Sequence, residues 1–182
     1  MNDLEKEFLE DTVTQKIKST RKKGINSKRK GKTFEDVIAK KFSDRFKLPF
    51  KRNFGSGMIL GGKNFKNQES FTEEQKLMLV SDIMTPKIFK YSIECKSYND
   101  ISFHSFFSDK SILNDFLNQC CSDAIKLNKD PMLIIHLNNK PTLVMIPEKE
   151  SIERLYLTIK YKGFNMLLLD DLLQMPNEYF LS

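Results

Sequence analysis

The spacing of apolar residues along the chain predicts a series of helices and strands that begins at Thr33. From this residue, apolar positions recur every three or four residues and form one stripe of an amphipathic helix, which ends at Leu48-Pro49. The stripe comprises Phe34, Val37, Ile38, Phe42 and Phe46. Such a stripe predicts that one face of the helix is buried against a core.

The next part of the chain predicts three strands and a long loop. Residues 50–54 are a short strand candidate, and residues 79–84 and 88–96 predict two longer strands with Pro86-Lys87 at the turn between them. Residues 58–78 are rich in Gly, Asn and Lys without a clear period, so we expect a long loop or excursion there.

The last part of the chain predicts a further alternation of helices and strands. The predicted elements are a helix over 109–128, strands over 132–137 and 142–146, a helix from Pro147 to Gly163, a strand over 164–169 and a small closing helix with Leu172 and Leu173. The complete order, α-β-β-β-α-β-β-α-β, predicts an α/β fold in which helices cover a mixed sheet.

The N-terminal segment differs from the rest of the chain in its charge pattern. Residues 3–15 could begin a helix, and residues 19–31 indicate a flexible basic linker. Nine basic residues occur together without an acidic one, whereas the rest of the chain after them is close to neutral. These residues are Lys16, Lys18, Arg21, Lys22, Lys23, Lys28, Arg29, Lys30 and Lys32. We therefore predict an N-terminal helix and basic flexible arm over 1–32 and one folded domain over 33–182.

The arm has two interpretations. Nine uncompensated like charges repel one another unless phosphates neutralise them, which favours contact with nucleic acid. A solvated tail is the alternative. The arm residues that we expect to bind DNA are Lys22, Lys23, Lys28, Arg29 and Lys30.

The composition excludes several classes of protein. Of the 182 residues 40% are hydrophobic and 30% charged, so the chain can bury a core and is not wholly disordered. Cys95, Cys120 and Cys121 contain no CxxC pair and provide neither a disulfide framework nor a zinc ribbon. No apolar run approaches the roughly 18 residues of a membrane helix, and the acidic N-terminus does not resemble a signal peptide. We expect a cytoplasmic protein without a membrane partner.

Residues 81–97 contain the pattern with the clearest chemical meaning. On an extended strand, Glu94 and Lys96 share one face while Cys95 points to the other, and a tight turn could place Asp82 beside them. Two adjacent carboxylates repel each other unless a cation lies between them. Their hard oxygen atoms favour Mg²⁺ or Mn²⁺ over zinc, and Lys96 could then orient or help deprotonate an attacking water. An ordinary cross-strand ion pair is the structural alternative.

Two further motifs could support such a site. Glu35 lies at the border of the apolar stripe of the first helix, and an exposed acid in a first helical turn is the alternative for this residue. Arg52 lies in the short strand candidate, and Ser56 follows between two glycines. Glycines let backbone amides approach a phosphate, which Arg52 could also bind. An ordinary turn after an exposed strand is the alternative for this motif.

In this order, the motifs resemble the PD-(D/E)XK nuclease superfamily, and most of all its archaeal-type and phage-encoded Holliday-junction resolvases. The motifs are GKTFE, Arg52 followed by GSG, Ser81-Asp82, and IECK before a long helix. The resemblance extends from about Gly31 to Ile135. It implies a restriction-endonuclease-like α/β core and a homodimer that cuts DNA with Mg²⁺ and leaves 5′-phosphate ends. Mn²⁺ is expected to substitute for Mg²⁺.

Matched residue by residue, the resemblance implies a metal site and a catalytic lysine. Asp82 and Glu94 correspond to the metal-binding acids, and the main-chain carbonyl of Cys95 corresponds to a further ligand. Lys96 corresponds to the catalytic lysine of the superfamily. Glu35 corresponds to its helix acid, with a catalytic role and an optional metal contact.

The resemblance also implies DNA contacts from Arg52 and Ser56. The chain departs from the pattern at Ser81, where the motif's name has proline, and at residues 58–78, where the resolvases are much shorter. The resulting prediction is a metal-dependent endonuclease for branched DNA, most simply a Holliday-junction resolvase in recombination and repair. A homing or restriction-type enzyme that reads sequence, and a non-catalytic DNA-binding protein on the same fold, are the alternatives.

Several other residues are interpreted as structural. A plain exposed side chain is expected for Gln119, although it could project toward the site. Core or dimer contact is expected for the patch of Phe103, His104, Phe106 and Phe107, although base stacking is an alternative for the phenyl rings. Core positions are expected for Cys120, Cys121 and His136.

Overall fold

The computed structural model describes residues 23–53, 80–108, 110–153 and 156–182, and for residues 23–28, 105 and 153 it describes the backbone alone. The helices of these ranges are α1 (Lys23–Phe46), α2 (Ile112–Leu127), α3 (Glu150–Glu153) and α4 (Leu169–Leu172), with 3-10 helices at Phe103–Phe107 and Asn177–Tyr179. The strands are β1 (Lys51–Arg52), β2 (Ile83–Met84), β3 (Tyr91–Tyr98), β4 (Asp130–Leu137), β5 (Leu143–Pro147), β6 (Ile159–Tyr161) and β7 (Phe164–Leu168).

The described strands form one mixed sheet of seven strands in the order β1-β2-β3-β4-β5-β7-β6. β3 and β4 run parallel, with Glu94 opposite Leu133, and the other neighbouring pairs are antiparallel. Parallel neighbours need a crossover connection, which α2 provides here. The prediction of a restriction-endonuclease-like α/β fold with helices on a mixed sheet is confirmed.

α1 and α2 cover opposite faces of this sheet. Successive residues of β4 point to opposite faces, so Met132 and Ile134 join one buried cluster while Leu133 and Ile135 join another. The first cluster includes the α1 residues Ile38, Ala39, Phe42 and Phe46, and the second includes the α2 residues Leu113, Leu117 and Cys120. β3 therefore lies in the centre of a three-layer structure, buried on both sides.

Phenyl rings fix β1 and the beginning of β3 against α1. The Phe50 ring, directly before β1, lies 5.5 Å from the Phe42 ring of α1 and 4.9 Å from the Phe89 ring. Phe46 contacts Phe180 at 4.9 Å, so the end of the chain joins the same cluster. This packing positions the residues that follow Phe50, which reach the candidate site described below.

The first helix begins earlier than its apolar spacing predicts. α1 starts at Lys23 and not at Thr33, so residues 23–31 are helical and not a flexible linker. Lysine and arginine are good helix formers, and Gly31 within the helix costs only about 1 kcal/mol relative to alanine. A basic composition therefore does not by itself exclude helix formation.

The strand predicted over 79–84 is shorter than expected, and one predicted helix is largely wrong. β2 covers only Ile83–Met84 because Ser81, with φ 67°, leaves the extended region. The helix predicted from Pro147 to Gly163 is reduced to α3, and its second half contains β6. Lys162 and Gly163 have φ of 48° and 81° and form the two-residue turn between β6 and β7. Strand pairing thus outweighs the helical spacing in this segment.

Residues 34–182 form one compact unit, and the residues of α1 before Phe34 belong to another. The predicted helix start over 3–15, Lys22, Ser56 and the predicted loop over 58–78 lie outside the described residues. Among the described helices, none is long and apolar enough to cross a lipid bilayer.

Candidate active site

Main-chain hydrogen bonds hold Asp82 at the edge of β3. Its N–H donates to the carbonyl of Ile93 (3.2 Å), and its carbonyl accepts from the N–H of Asn53 (2.8 Å), directly after β1. Its carboxylate oxygen Oδ2 accepts from the N–H of Cys95 (2.9 Å). The Asp82 carboxylate therefore lies beside the segment of β3 that carries Glu94.

The residue before Asp82 has a left-handed backbone, which costs roughly 1–2 kcal/mol for a residue with a Cβ. Ser81 has φ 67°, and its hydroxyl donates to the carbonyl of Ile83 (3.0 Å). Its carbonyl accepts from the side-chain amide of Asn53 (3.2 Å). Because proline is locked near φ −65°, it cannot adopt this conformation. Ser81, at the position where the resemblance would place proline, is thus part of the bend that directs Asp82 toward β3.

Glu94, Lys96 and Gln119 form a closed set of hydrogen bonds. Lys96 Nζ donates to Glu94 Oε1 (2.6 Å) and to Gln119 Oε1 (2.9 Å). Gln119 Nε2 donates to the same Glu94 Oε1 (2.6 Å). The Glu94 side chain is 3% exposed, and Lys96 Nζ also lies 5.6 Å from the centre of the Phe116 ring. Each of the three polar groups therefore restricts the orientation of the other two.

Burial and a second carboxylate affect the pKa of Glu94 more strongly than the neighbouring ammonium does. Burial, together with the nearby Asp82 charge, raises the pKa of Glu94 to about 8, although Lys96 acts in the opposite direction. Burial lowers the pKa of Lys96, but the Glu94 charge and its hydrogen bond outweigh burial, and the pKa is raised. A bound cation would offset the repulsion between the two carboxylates and favour the ionised form of Glu94.

The oxygen donors of this site fit a hard divalent cation. The N–H and C=O of one strand residue point to the same edge, so the carbonyl of Cys95 faces the edge where its N–H meets Asp82. No three His, Cys, Asp or Glu side chains of the described ranges cluster as a metal site on their own. Asp82 and Glu94 would hold the cation with this carbonyl and with water or substrate oxygens, a set that suits Mg²⁺. The Cys95 side chain belongs to the core cluster, where burial raises the pKa of its thiol, so the carbonyl and not the sulfur is the candidate ligand.

Arg52 pairs with acids of α1. Its Nε donates to Asp36 Oδ1 (2.9 Å), and its Nη1 lies 4.0 Å from Glu35 Oε2. Arg52 and Glu35 are both half-buried, whereas Asp36 is exposed. Glu35 is also near enough to Cys95 to raise the pKa of its thiol, after larger effects of burial, Asp82 and Glu94. The helix acid thus lies toward the strand that carries the other candidate residues.

The structure describes only part of the predicted DNA contacts. Arg29 and Lys30 are exposed on α1, and Lys23 and Lys28 lie on the same helix. Their role in binding DNA stays a prediction, as do the roles of Lys22 and Ser56.

One contact of the site was the less favoured alternative in the sequence, and another was not expected. Gln119 is exposed, as expected, yet its amide also contacts Glu94 and Lys96. Its position three residues after Phe116, at the border of the apolar face of α2, is the signal that could have indicated this. Asp36 was assigned no role, although an acid next to Glu35 is a natural partner for Arg52.

The two histidines and the two cysteines of α2 differ in burial. His104 is exposed, and His136 is half-buried with its ring 5.2 Å from the Phe34 ring. Cys120 is buried in the core, as expected, whereas Cys121 is half-buried. None of these side chains shares a hydrogen bond with the acids described above in the ranges that the structure covers.

Comparison with known proteins gives one match. A family model described as "Phage putative PDDEXK endonuclease" matches residues 26–171. No curated protein and no solved structure matches the chain. The matched range includes Asp82, Glu94, Lys96 and Gln119. It supports the PD-(D/E)XK superfamily, whose nucleases generally use divalent metals, and a nuclease with a DNA substrate. Since the match covers most of its length, the chain belongs to the family of phage PDDEXK endonucleases.

Proposed function

We propose that the protein is a Mg²⁺-dependent DNA endonuclease in which Asp82, Glu94 and Lys96 form the reaction centre. The observation that carries this proposal is their arrangement at one strand edge. Glu94 is almost completely buried and lies near a second carboxylate, Asp82, and burial together with this charge raises its pKa. Lys96 pairs with only one of these carboxylates, and a divalent cation between them would offset their mutual repulsion. Membership of an endonuclease family supports the same chemistry.

In this proposal Asp82, Glu94 and the carbonyl of Cys95 would hold the cation. Once bound, the metal supplies charge stabilisation at the phosphate and lowers the pKa of a nearby water. Lys96 donates two of its three N–H bonds to Glu94 and Gln119. We assign its third donor to orienting the attacking water or a phosphate oxygen. Water adds to phosphorus, the bond to the 3′ oxygen breaks, and the products are a 5′-phosphate and a 3′-hydroxyl.

Glu35 and Arg52 support this centre in the proposal. Arg52 is oriented by Asp36 and lies close to Glu35, so α1 positions it at the edge of the sheet. A guanidinium can bind two phosphate oxygens at once. A phosphate at this edge would therefore compete with both acids for Arg52. Further DNA contacts are proposed for Ser56, Lys22, Lys23, Lys28, Arg29 and Lys30.

As the substrate, we propose branched DNA and in the first place a four-way junction. The support is the order of motifs from GKTFE to IECK, which resembles that of junction resolvases. A junction presents two strands to be cut, and a symmetric homodimer would supply two equivalent sites. Such an enzyme would act in the cytoplasm of a host cell.

A cleavage assay tests this proposal. An end-labelled immobile four-way junction and a linear duplex of the same arm sequence are each incubated with Mg²⁺, Mn²⁺ or EDTA. We expect metal-dependent paired nicks in the junction whose ends ligate without added phosphate, and none with Asp82→Asn or Glu94→Gln. The matched control is Asp170→Asn, which removes an exposed acid paired with Lys41 and should leave cleavage unchanged.

The substrates separate the alternatives. Cleavage of the linear duplex at a fixed sequence would keep the nuclease and replace junction selection by sequence recognition. Binding of DNA without cleavage under any metal would refute the enzyme and support a non-catalytic DNA-binding protein.

A further inference from the structure

Two phenyl rings point into solvent from a short element between β3 and α2. Phe103 and Phe107, in the 3-10 helix Phe103–Phe107, are 71% and 78% exposed, with ring centres 5.4 Å apart. The third ring of the segment, Phe106, is half-buried and packs edge-on against Tyr161 at 5.4 Å. Core packing, one of the two positions expected for all three rings, therefore holds only for Phe106.

Polar contacts hold the same element in place. The side-chain amide of Asn114 donates to the carbonyl of Ser108 (3.2 Å), directly after the 3-10 helix. The Oδ1 of Asn114 accepts from the hydroxyl of Tyr161 (2.8 Å), the residue that also contacts Phe106. Asn114 and Tyr161 are both buried. The exposed rings thus belong to an element fixed at its inner side, and such exposed apolar surface is typical of an interaction site.

The element joins the two elements that build the candidate active site. Phe103 lies five residues after the end of β3, and α2 begins five residues after Phe107. The Tyr98 ring at the end of β3 lies 5.9 Å from the Phe116 ring of α2, which in turn lies 5.6 Å from Lys96 Nζ. Aromatic side chains therefore extend from the reaction centre toward this connection.

We propose that Phe103 and Phe107 stack on unpaired or unstacked DNA bases beside the cleavage site, so that the protein prefers distorted DNA to a continuous duplex. The inference rests on the proposed nuclease function for the identity of its partner. Every base has a π-face, so aromatic platforms bind bases with little regard to sequence. Apolar side chains can also insert at steps where stacking is already broken.

The size of the patch favours bases over a second copy of the chain. Two mostly exposed phenyl rings offer roughly 300 Å² of surface. A stable protein interface buries about 800 Å² on each partner. Two rings about 5 Å apart are instead of a size to contact one or two bases.

A binding experiment with the full-length protein in EDTA tests the inference without cleavage. The probes are a duplex with a two-nucleotide bulge that contains 2-aminopurine and the same duplex fully paired. The variants are Phe103→Ala with Phe107→Ala, the corresponding double Trp variant, and Ile125→Ala. Ile125 is a matched control because it is 79% exposed at the other end of α2.

We expect the wild type to bind the bulge more tightly and to quench 2-aminopurine. The double Ala variant should lose about 10- to 100-fold of that preference, as expected for stacked bases, without a change in affinity for the paired duplex. The double Trp and Ile125→Ala variants should retain it. An unchanged preference in the double Ala variant would overturn the inference, as would a wild type that binds neither probe.

Two measurements distinguish base stacking from a dimer contact and from the catalytic proposal. If sedimentation shows that the double Ala variant turns a dimer into a monomer, the patch binds a second copy and the inference is overturned. Bulge preference that depends on the two rings, in a protein that cuts nothing with any metal, would refute the catalytic proposal alone. Metal-dependent cleavage with a bulge preference independent of the rings would refute stacking alone.

Discussion

Gln119 Nε2 lies 2.6 Å from Glu94 Oε1, across 25 residues of sequence. The bond connects α2 to the centre of β3 and reaches the carboxylate oxygen that also accepts from Lys96. A buried carboxylate with two donors on one oxygen has few alternative rotamers. Glu94 and Lys96 are thereby oriented before DNA arrives.

The first prediction concerns this amide. Gln119→Leu should lower kcat by about 10- to 100-fold, because a hydrogen bond to a charged group contributes roughly 1.5–3 kcal/mol. The affinity for DNA should change little. The free energy of unfolding should also fall, because the buried Glu94 carboxylate loses a donor, so cleavage is compared well below the melting temperature. Single-turnover cleavage at saturating DNA measures this effect. Asn118→Leu, at the neighbouring exposed position, is the control, and equal rates for the two variants would contradict an orienting role.

The second prediction concerns the pH dependence of stability in EDTA. The pKa of Glu94 is about 8 in the folded chain against 4.5 as its ordinary value. Between these values the folded state binds more protons than the unfolded state, so the free energy of unfolding falls as pH rises from 5 to 8. Each pKa unit corresponds to about 1.4 kcal/mol. Glu94→Gln should lose this fall and become the more stable protein near pH 8.

Urea denaturation of both proteins at pH 5, 6, 7 and 8 tests the sign. Parallel pH profiles would show that Glu94 is not the group responsible. The same variant should be inactive, so that a gain in stability accompanies a loss of function.

The third prediction concerns the backbone at Ser81. Ser81→Gly should leave the free energy of unfolding within about 1 kcal/mol of wild type, because relief of the left-handed strain offsets the lost hydroxyl bond. Ser81→Ala keeps the strain and should cost about 1 kcal/mol. Ser81→Pro should abolish the bend and therefore cleavage. Denaturation and cleavage are measured together, and an active Ser81→Pro would contradict the described conformation.

The fourth prediction separates stability from catalysis. Arg45 donates to the carbonyls of Leu173 (2.6 Å) and Met175 (2.8 Å) and to Asn177 Oδ1 (2.9 Å). Its guanidinium also lies 4.8 Å from the Phe46 ring centre. Arg45→Lys cannot reproduce this planar fork and should lower the free energy of unfolding by about 2–3 kcal/mol.

The matched control for Arg45 is Lys41→Ala, which removes an exposed ion pair with Asp170 and should cost less than about 1 kcal/mol. Urea denaturation measures both, and cleavage below the melting temperature should be unchanged in each. A fall in kcat for Arg45→Lys would mean that the C-terminal segment influences the site.

The local sequence pattern was sufficient to predict the elements in which apolar spacing and burial agree. α2, β3, β4 and β7 lie close to the predicted ranges. Period two along β3 also correctly placed Glu94 and Lys96 on one face. The fold class followed from the order of these elements, which needs no exact boundaries.

The remaining features depend on distant contacts or on single torsion angles. The apolar spacing of residues 147–163 predicts a helix and does not indicate that β6 pairs with β7. The φ of Ser81 and the direction of the Gln119 side chain depend on Asn53 and Glu94, which are remote in sequence. Tertiary contacts of this kind override local preference.

The alternation along β3 has a consequence for Cys95. The main chain of this residue binds Asp82, while its side chain belongs to the core cluster that contains Ile38 and Ala39 of α1. The thiol stays protonated and buried, so the side chain at the middle position of the E-X-K motif only has to fill space in the core. A different apolar side chain of similar volume could replace Cys95 without a change in the positions of Glu94 and Lys96.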